Sequence, residues 1–358
     1  MIDKRLGKVI LGISTTVFCL VSSYLGASSL SPYCTDRCGF FVGGDILCWN
    51  VCQSNLEFAI DNDDVEYYDT GDVPLIGGPG KVHYFEWNWN LGVRLVGGYL
   101  SKWDHWDGRL VYTSYCNRSS IKLGDTDPDD RNILVAALLH PDSPNINPND
   151  DGFELGDGRI KLDYQVLDFL YGRTLCLECD TLTVRPYSGI RCLWLDQDLS
   201  ATYRYRFDPA QDTNDYDIDY NSCFEGVGFH CGVEVTNTIL CNLELVTGCA
   251  ASLVKGSYKQ HTTQIETRAD ESVIEQVNIK EKQDLLLPGY ELVIGLQRVS
   301  DPCSTGAALI LQARYEFTQW LHTPYYRTYQ KKDTGISSLS ARNSIGFHGL
   351  TFRAEYHY

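Results

Sequence analysis

The sequence predicts an all-β fold: a transmembrane antiparallel β-barrel of about ten strands (range about ten to fourteen), with long extracellular loops and short periplasmic turns. Three observations lead to this prediction. Apolar and polar residues alternate over longer segments than in soluble proteins, the connections alternate between short and long, and the last segment ends on aromatic residues.

The stretch at residues 82–100, VHYFEWNWNLGVRLVGGYL, shows the alternation most clearly. Leu91, Val93 and Leu95 fall in one register, and Arg94 falls in the other. A period of two residues is typical of a β-strand with two unlike faces, and soluble strands average only about five or six residues. Similar segments recur at residues 40–49, 106–117, 159–169, 182–194, 224–235, 238–258, 290–298, 307–320 and 345–358.

The connections between these segments alternate in length. Those after Tyr99, Phe169, Val235 and Arg298 are short, and those after Trp49, Asn117, Trp194, Tyr258 and Trp320 are long and polar. Residues 117–158, 197–221 and 260–284 are rich in Pro, Asp, Asn or charged residues, so we expect external loops there. Two further segments, Tyr203–Phe207 and Leu56–Tyr68, are candidates for extra strands that would widen the bore.

The first residues predict export. Lys4, Arg5 and Lys8 precede an apolar run at residues 9–25, and small residues follow at 26–28, as in a secretory signal peptide. An uncleaved anchor helix is the alternative. No later stretch approaches the ~18 apolar residues of a spanning helix. We therefore predict a signal peptide at residues 1–27, a periplasmic N-terminal segment at 28–38 and an outer-membrane barrel at 39–358.

The C-terminal segment, GLTFRAEYHY, has one apolar face, formed by Leu350, Phe352, Ala354, Tyr356 and Tyr358. Such a strand at a free soluble edge would invite aggregation, whereas in a closed barrel its face meets lipid and its edge is paired. A soluble β-sandwich, the alternative, explains the alternation alone. The terminal aromatic also resembles the signal that barrel-assembly machinery reads. We therefore expect that machinery and outer-membrane lipid as partners.

The two registers divide the strand residues into a lipid-facing set and a lumen-facing set. The apolar register, expected outside, contains Leu91, Val93, Leu95, Leu243, Leu292, Ile294, Leu311 and Phe352. The polar register, expected in the lumen, contains Glu86, Arg94, Arg109, Lys161, Asp163, Arg185, Arg191, Glu244, Glu291, Arg314, Glu316, Arg353 and Glu355. A bore of about ten strands is narrow. We favour a lumen filled by salt bridges, and a narrow selectivity zone is the alternative.

Cysteines are numerous, with 14 in the chain. Cleavage near Ala27 removes Cys19 and leaves an odd number, so at least one thiol is free or pairs between molecules. Export to an oxidising compartment favours disulfides, with free membrane-facing thiols as the alternative. The disulfide candidates are Cys34, Cys38, Cys48, Cys52, Cys231 and Cys241. Cys176 and Cys179 lack the second pair of a zinc site, so we expect no metal and no cofactor.

Charge and motif content exclude other classes of function. The formal net charge is −17, with 47 acidic against 30 basic residues, which argues against nucleic-acid binding. His105, His140, His230 and His348 are scattered without a partner motif. No catalytic constellation stands out, so we expect that the chain is not an enzyme.

Several pieces of the chain resemble, in order, the major outer membrane protein-like family known from Legionella and from chlamydia-related bacteria. They are residues 39–50, 83–99, 103–115, 160–173, 182–197, 224–234, 286–297, 314–320 and the closing GLTFRAEYHY. The resemblance implies an outer-membrane β-barrel with a porin-like or surface role and no catalytic residues. The cysteine content is similar to that of disulfide-crosslinked envelopes of chlamydia-like bacteria, which suggests other cysteine-rich envelope proteins as partners.

Two functions from different classes remain open at this stage. One is porin-like passage of small solutes, together with a surface or structural role in the envelope. The other is a non-conducting structural or adhesin-type surface protein that disulfides crosslink to its neighbours. Conductance in planar bilayers separates the two, because only the first predicts stepwise currents.

Overall fold

The computed structural model describes residues 38–62, 80–101, 105–124, 133–139, 153–177, 182–206, 213–240, 243–300, 308–332 and 335–358. The predicted signal peptide and most of the predicted periplasmic segment lie outside this part of the chain. The described residues form fourteen strands: β1 (Gly39–Gln53), β2 (Glu57–Asn62), β3 (Gly80–Tyr84), β4 (Asn90–Leu100), β5 (Trp106–Gly124), β6 (Ile133–Ala136), β7 (Phe153–Arg173), β8 (Leu175–Cys176), β9 (Leu182–Arg206), β10 (Thr213–Leu240), β11 (Leu243–Thr267), β12 (Val273–Ser300), β13 (Ala308–Lys332) and β14 (Gly335–His357). Among these residues there is no helix long and apolar enough to cross a membrane.

Ten of the strands close into an antiparallel barrel in the order β1, β4, β5, β7, β9, β10, β11, β12, β13, β14. The seam lies between β1 and β14, which pair from Phe41 opposite His357 to Gln53 opposite Ile345. Closure gives each wall strand a neighbour on both sides, so its backbone groups are hydrogen-bonded where lipid offers no partner. The predicted fold class, an all-β barrel of about ten strands, is confirmed.

The two ends of the barrel differ in their connections. At the end where β1 begins and β14 finishes, only five residues separate β4 from β5 and only two separate β10 from β11. Long connections at the opposite end join β1 to β4 and β5 to β7. In outer-membrane barrels the short turns are periplasmic and the long loops extracellular, which orients the chain.

Two segments predicted as external loops are mostly strand, so that prediction is wrong. β9 continues to Arg206 and β10 begins at Thr213, which places most of residues 197–221 in a hairpin. Likewise β11 and β12 cover most of residues 260–284, with a short turn at 268–272. Their Asp, Asn and Lys residues alternate with inward-facing residues, and this two-residue period outweighs the polar composition.

Side chains alternate between the inner and outer faces along the whole wall, but the polarity of the two faces reverses part of the way up the barrel. In the lower part of β9, Ile190 faces outward and Arg191 faces inward. Farther up the same strand, Asp198 faces outward and Leu199 is buried inside. The lower half therefore has the polar-in pattern of a lipid-embedded barrel, and the upper half has the apolar core of a water-soluble one. The change on β9 falls between Trp194 and Asp196.

The short strands β2, β3 and β6 form a cap over the extracellular mouth. β2 pairs with β3 on one side and with β6 on the other. Phe58 of β2 is fully buried, with its ring 5.1 Å from that of Tyr203 and 5.3 Å from that of Phe85. A Cβ atom at Gly158 of β7 would approach Phe58 to 2.6 Å, so glycine is needed for the cap to lie this close to the wall.

Neither segment proposed as an extra barrel strand widens the bore. Tyr203 belongs to the upper end of β9, and residues 57–62 form β2 of the cap. The register predicted for residues 82–100 also breaks before β4. Phe85 and Trp87 are buried, and this stretch ahead of Asn90 is not part of the wall.

The outer surface of the lower wall is an apolar belt, as required for contact with lipid. Outward side chains there retain large exposed fractions, such as 66% for Leu91, 60% for Leu95 and 56% for Ile294. Aromatic rings cluster at the periplasmic end, where Trp106 and Tyr171 stack with ring centres 4.6 Å apart. Such girdles are typical of the interface between lipid and water.

The belt predicts a difference between two arginine substitutions on one strand. Leu292 faces lipid on β12 and Gln297 faces the lumen. Leu292→Arg should therefore impair assembly, since arginine at a lipid-facing midplane position costs about 2–4 kcal/mol, while Gln297→Arg should be tolerated. The measurement is the yield of heat-modifiable, detergent-resistant barrel on gels. Equal yields for the two variants would contradict the assignment of the faces.

Candidate functional site: the lumen

The lower lumen holds an ion-pair network in three groups. We name them the Asp45 group (Asp45, Arg94, Arg314, Glu316, Arg353), the Arg191 group (Asp168, Arg191, His230, Ser252, Glu291) and the Asp107 group (Asp107, Arg109, Arg185). All ten strands of the barrel wall contribute a residue to at least one group. The network therefore exists only after the barrel has closed.

The Asp45 group is built around one carboxylate. Asp45 is 3% exposed and accepts hydrogen bonds from three guanidinium groups: from Arg353 at 2.7 and 2.9 Å, from Arg314 at 3.0 Å and from Arg94 at 3.2 Å. Glu316 is the second carboxylate of the group, with two bonds of 3.0 Å from Arg94 and an ion pair of 2.8 Å with Arg314. Parallel bonds of this kind fix the geometry of both partners.

The Arg191 group crosses the lumen from β7 to β12. Arg191 donates two hydrogen bonds of 2.7 Å to Asp168 and also pairs with Glu291. Its remaining contacts are Ser252 Oγ at 3.0 Å and His230 Nε2 at 3.3 Å. A single guanidinium thus joins side chains from five consecutive wall strands, β7 and β9 to β12.

The Asp107 group lies nearest the periplasmic end. Arg185 approaches Asp107 with two donors, at 2.5 and 2.7 Å, and Arg109 donates a bond of 2.9 Å to the same carboxylate. Arg109 lies over the ring of Phe41 at 5.3 Å, and Arg185 lies over Tyr187 at 5.1 Å. These cation–π contacts hold the guanidinium groups against the wall.

An aromatic layer covers the network on its extracellular side. It consists of Trp49, Tyr115, Tyr164, Trp320 and Phe347, each at most 3% exposed. The rings of Tyr164 and Phe347 stack at 4.3 Å, and Trp49 lies 5.8 Å from Tyr115. Trp320 Nε1 donates to the Tyr164 hydroxyl at 3.3 Å. The lumen thus passes from charged to aromatic, and the buried apolar core and the cap continue above.

The space left between these groups is small. One cavity of about 110 Å³ is bounded by residues of all three groups together with Trp49, Tyr164 and Tyr187. Within the described part of the chain, no group of three or more His, Cys, Asp or Glu side chains is placed to hold a metal ion. The arrangement is suited to bracing the wall and holding a few waters.

The contact between His230 and Ser252 resembles part of a hydrolase site, but its hydrogen bonds run in the wrong direction. Arginine can only donate, so His230 Nε2 accepts from Arg191, and in the neutral ring Nδ1 then carries the hydrogen. That nitrogen lies 2.9 Å from Ser252 Oγ and donates to it. A general base would have to accept the serine proton instead, so Ser252 is not activated in this arrangement.

The structure brings together eight of the residues predicted to line the lumen: Arg94, Arg109, Arg185, Arg191, Glu291, Arg314, Glu316 and Arg353. Glu355 also faces inward, and Glu244 contacts Gln297 near the periplasmic turns.

Three of the predicted lumen residues are placed elsewhere. Lys161 and Asp163 pair with each other on the outer face of β7, above the belt, because the wall has already changed polarity there. Glu86 is exposed and precedes β4, so it is not part of the barrel wall.

Four titratable residues of the network are absent from the predicted lumen set: Asp45, Asp107, Asp168 and His230. Alternation alone places each of them in an inward register, beside outward Ile46, Gly108, Phe169 and Phe229. The two-residue period is therefore the signal that indicates them. Their partners come from distant strands, as with Asp45 and Arg353, and no sequence motif reports such pairs.

The cysteines divide into one bonded residue and eight free thiols within the described chain. Cys176 is disulfide-bonded. The free thiols are Cys38, Cys48, Cys52, Cys116, Cys192, Cys223, Cys231 and Cys249. The seven that lie in strands all occupy outward-facing positions of the wall.

The hairpin predicted to bring Cys231 and Cys241 together has a different turn. β10 continues through Thr236 and Asn237 to Leu240, β11 begins at Leu243, and Cys231 lies opposite Ala251. The facing arrangement that depended on the earlier turn is therefore wrong. Cys241 itself, like Cys34, lies outside the described residues.

The central carboxylate predicts a large effect on stability. Asp45→Ala should destabilise the barrel by about 3–5 kcal/mol, because it leaves three buried guanidinium groups without their shared acceptor. Asp198→Ala, on the outer face of β9 above the belt, is the control and should cost less than about 1 kcal/mol. Urea unfolding in detergent, followed by tryptophan fluorescence, measures both. A loss for Asp45→Ala no larger than that of the control would contradict the role of the network.

Comparison with solved structures gives only distant likenesses. One is the outer membrane protease OmpT from Escherichia coli, with 10% identity, a TM-score of 0.43, and 93% of this chain and 99% of that chain covered. A Pseudomonas aeruginosa FadL homologue has 8% identity and a TM-score of 0.26, with 90% of each chain covered. The outer membrane channel DcaP of Acinetobacter baumannii has 10% identity and a TM-score of 0.16, with 90% of this chain and 96% of that chain covered. No curated protein matches the sequence.

The comparison with protein families is more specific. The model of the Legionella pneumophila major outer membrane protein precursor matches residues 34–358, which include the whole barrel. The match and the closed wall agree with the expected location in the outer membrane. The chain belongs to the Legionella major outer membrane protein family.

Proposed function

We propose that this protein is a closed, non-conducting barrel with a structural role in the outer membrane, presenting its extracellular wall and cap at the cell surface. The observation that carries the proposal is the filled lumen. Three ion-paired groups occupy the membrane level, and the aromatic layer lies directly above them.

A solute passing through the barrel would have to break several of these contacts together. Removing one partner of a buried ion pair costs about 3–5 kcal/mol, and Asp45 alone has three such partners. The aromatic layer adds contacts between rings that are almost fully buried. These costs favour a permanent brace over a pore that opens in ordinary thermal motion.

The part of the wall above the belt supports a surface role. β9 and β10 run well beyond the apolar belt as one continuous hairpin. Their outer face carries Asp196, Asp198, Asp217 and Asp219, and the inner face packs into the apolar core. A rigid, acidic wall of this kind remains hydrated and repels its copies.

Planar bilayers test the proposal directly. Purified, folded protein should give no stepwise conductance, whereas a double variant that opens both layers, Arg94→Ala with Trp320→Ala, should produce steps if it still inserts. Heat-modifiable mobility on gels checks that both proteins are folded. Regular steps from the wild-type protein would contradict the closed barrel and favour porin-like passage through the 110 Å³ cavity.

The envelope partners are a second part of the proposal. Cys38 is an exposed free thiol immediately before β1 at the periplasmic end, and Cys34 precedes it in sequence. We propose that these two cysteines form the bridges to other cysteine-rich envelope proteins. Cys231 and Cys249 lie in the lipid belt, which excludes charged oxidants and reactive thiolates.

Crosslinking predicts a contrast between two double variants. Cys34→Ser with Cys38→Ser should reduce high-mass species on non-reducing gels without preventing insertion. Cys231→Ser with Cys249→Ser should leave those species unchanged, since these thiols face lipid. High-mass species that persist in the first variant, or that never appear in oxidised wild-type protein, would show that the N-terminal cysteines are not the linkage.

A further inference from the structure

One surface of this acidic protein is basic. Four lysines, Lys255, Lys259, Lys280 and Lys282, lie exposed on the outer face of β11 and β12, and we call them the lysine face. They are brought together by the strand register, which sets Lys259 directly opposite Lys282. The sequence alone does not reveal the cluster, because the turn at residues 268–272 separates its two halves.

The lysine face begins where the apolar belt ends. Leu253 on β11 and Leu286 on β12 are outward-facing and 47% and 53% exposed, and Lys255 is opposite Leu286. Lys259 lies four residues farther along β11, and Lys280 is opposite His261, six residues farther, which is about 13 Å and 20 Å along the strand. With a strand tilt of about 40°, the lysine face spans about the first 15 Å above the hydrocarbon.

Within the described part of the chain, the lysines of this face have no carboxylate partners. None of the four forms an ion pair with a described residue. Three outward cations on other strands of the upper wall do have partners: Arg159 with Asp157, Lys161 with Asp163, and Arg204 with Asp215.

Like charges directly opposite one another destabilise a sheet, so the pair of Lys259 and Lys282 is unfavourable without an anion. Two outward acidic side chains lie beside the lysines, Asp284 on β12 and Glu225 on the neighbouring strand β10, both opposite Ser257. Together they neutralise at most two of the four charges. The lysine face therefore keeps a net positive charge and can bind further anionic groups.

The surface is also open from the side. β12 pairs with β13 only from Gly289 to Ser300. The part of β12 before Gly289, which carries Lys280 and Lys282, pairs with β11 on one side and with no described strand on the other. Its free edge offers backbone N–H donors next to the ammonium groups, and both kinds of donor suit phosphate oxygens.

We infer that the lysine face binds the phosphate groups of a phosphorylated glycolipid in the outer leaflet of the membrane. The position fixes the source of the phosphate, because only a lipid headgroup is present at high concentration just above the belt. Basic residues next to a membrane-embedded surface recognise anionic headgroups in this way. Lys255 meets phosphates at the lipid interface, and Lys259 and Lys282 bind phosphates on the sugars above it.

Two triple variants of the full-length chain test the inference. Lys255→Gln, Lys259→Gln and Lys282→Gln remove three charges from the lysine face. Arg159→Gln, Lys161→Gln and Arg204→Gln remove three charges from other strands of the upper wall, where each cation has a carboxylate partner. All six side chains lie on the outer surface, and heat-modifiable mobility confirms that each protein is folded.

Binding is measured by native mass spectrometry in a zwitterionic detergent, with bisphosphorylated lipid A as the probe and lipid A lacking phosphates as the reference. We expect the first variant to bind bisphosphorylated lipid A at least about tenfold more weakly than wild type. The matched variant should remain within about twofold, and the wild-type protein should prefer the phosphorylated probe. The preference should shrink as salt is added, because exposed charges are screened.

Three outcomes would overturn the inference. The first is an equal loss of affinity for bisphosphorylated lipid A in both triple variants. The second is an unchanged affinity in the variant that lacks Lys255, Lys259 and Lys282. The third is equal binding of the phosphorylated and unphosphorylated forms of lipid A by the wild-type protein. Competition by millimolar inorganic phosphate would assign the site to free phosphate rather than to lipid. A change in oligomeric state of the first variant in lipid-free detergent would assign the face to contact with a second copy.

Discussion

The structure depends on the neutralisation of charge inside a narrow lumen. A barrel of ten strands leaves too little room for bulk water, so each inward arginine needs a carboxylate within hydrogen-bond distance. Asp45 satisfies three guanidinium groups, and Arg191 joins side chains from five strands. Since every wall strand contributes, the same contacts that neutralise the charges also fix the shear and the closure of the wall.

The second constraint is the change of solvent outside the barrel. In the belt the outer face meets lipid, and the polar side chains turn inward. Above the belt the outer face meets water, and the interior becomes an apolar core under the cap. The backbone of β9 and β10 passes through both environments without a break. Only the identity of the side chains changes, at Trp194 and Asp196 on β9. The aromatic layer lies at this boundary and separates the charged interior from the apolar one.

Much of the architecture could be predicted because a two-residue period is a local property. The order of the ten wall strands, the lipid face of β4 and the lumen position of Arg94 all follow from it. Assigning every polar strand residue to the lumen is correct only within the belt. Lys161 and Asp163 lie above the belt and therefore face water. The loop predictions for the acidic upper hairpins fail for a different reason, because they rest on polar composition and not on the two-residue period of these segments.

The sequence by itself determined the barrel class, the direction of the chain and the alternation of faces, because each depends on neighbours one or two residues apart. Only the tertiary structure decided what the lumen contains. The partners of Asp45 come from β4, β13 and β14, and those of Arg191 from β7, β10, β11 and β12. It also decided that Lys259 and Lys282 lie opposite each other. Such contacts depend on closure and register, which are set by the packing of all ten strands together and leave no local trace in the sequence.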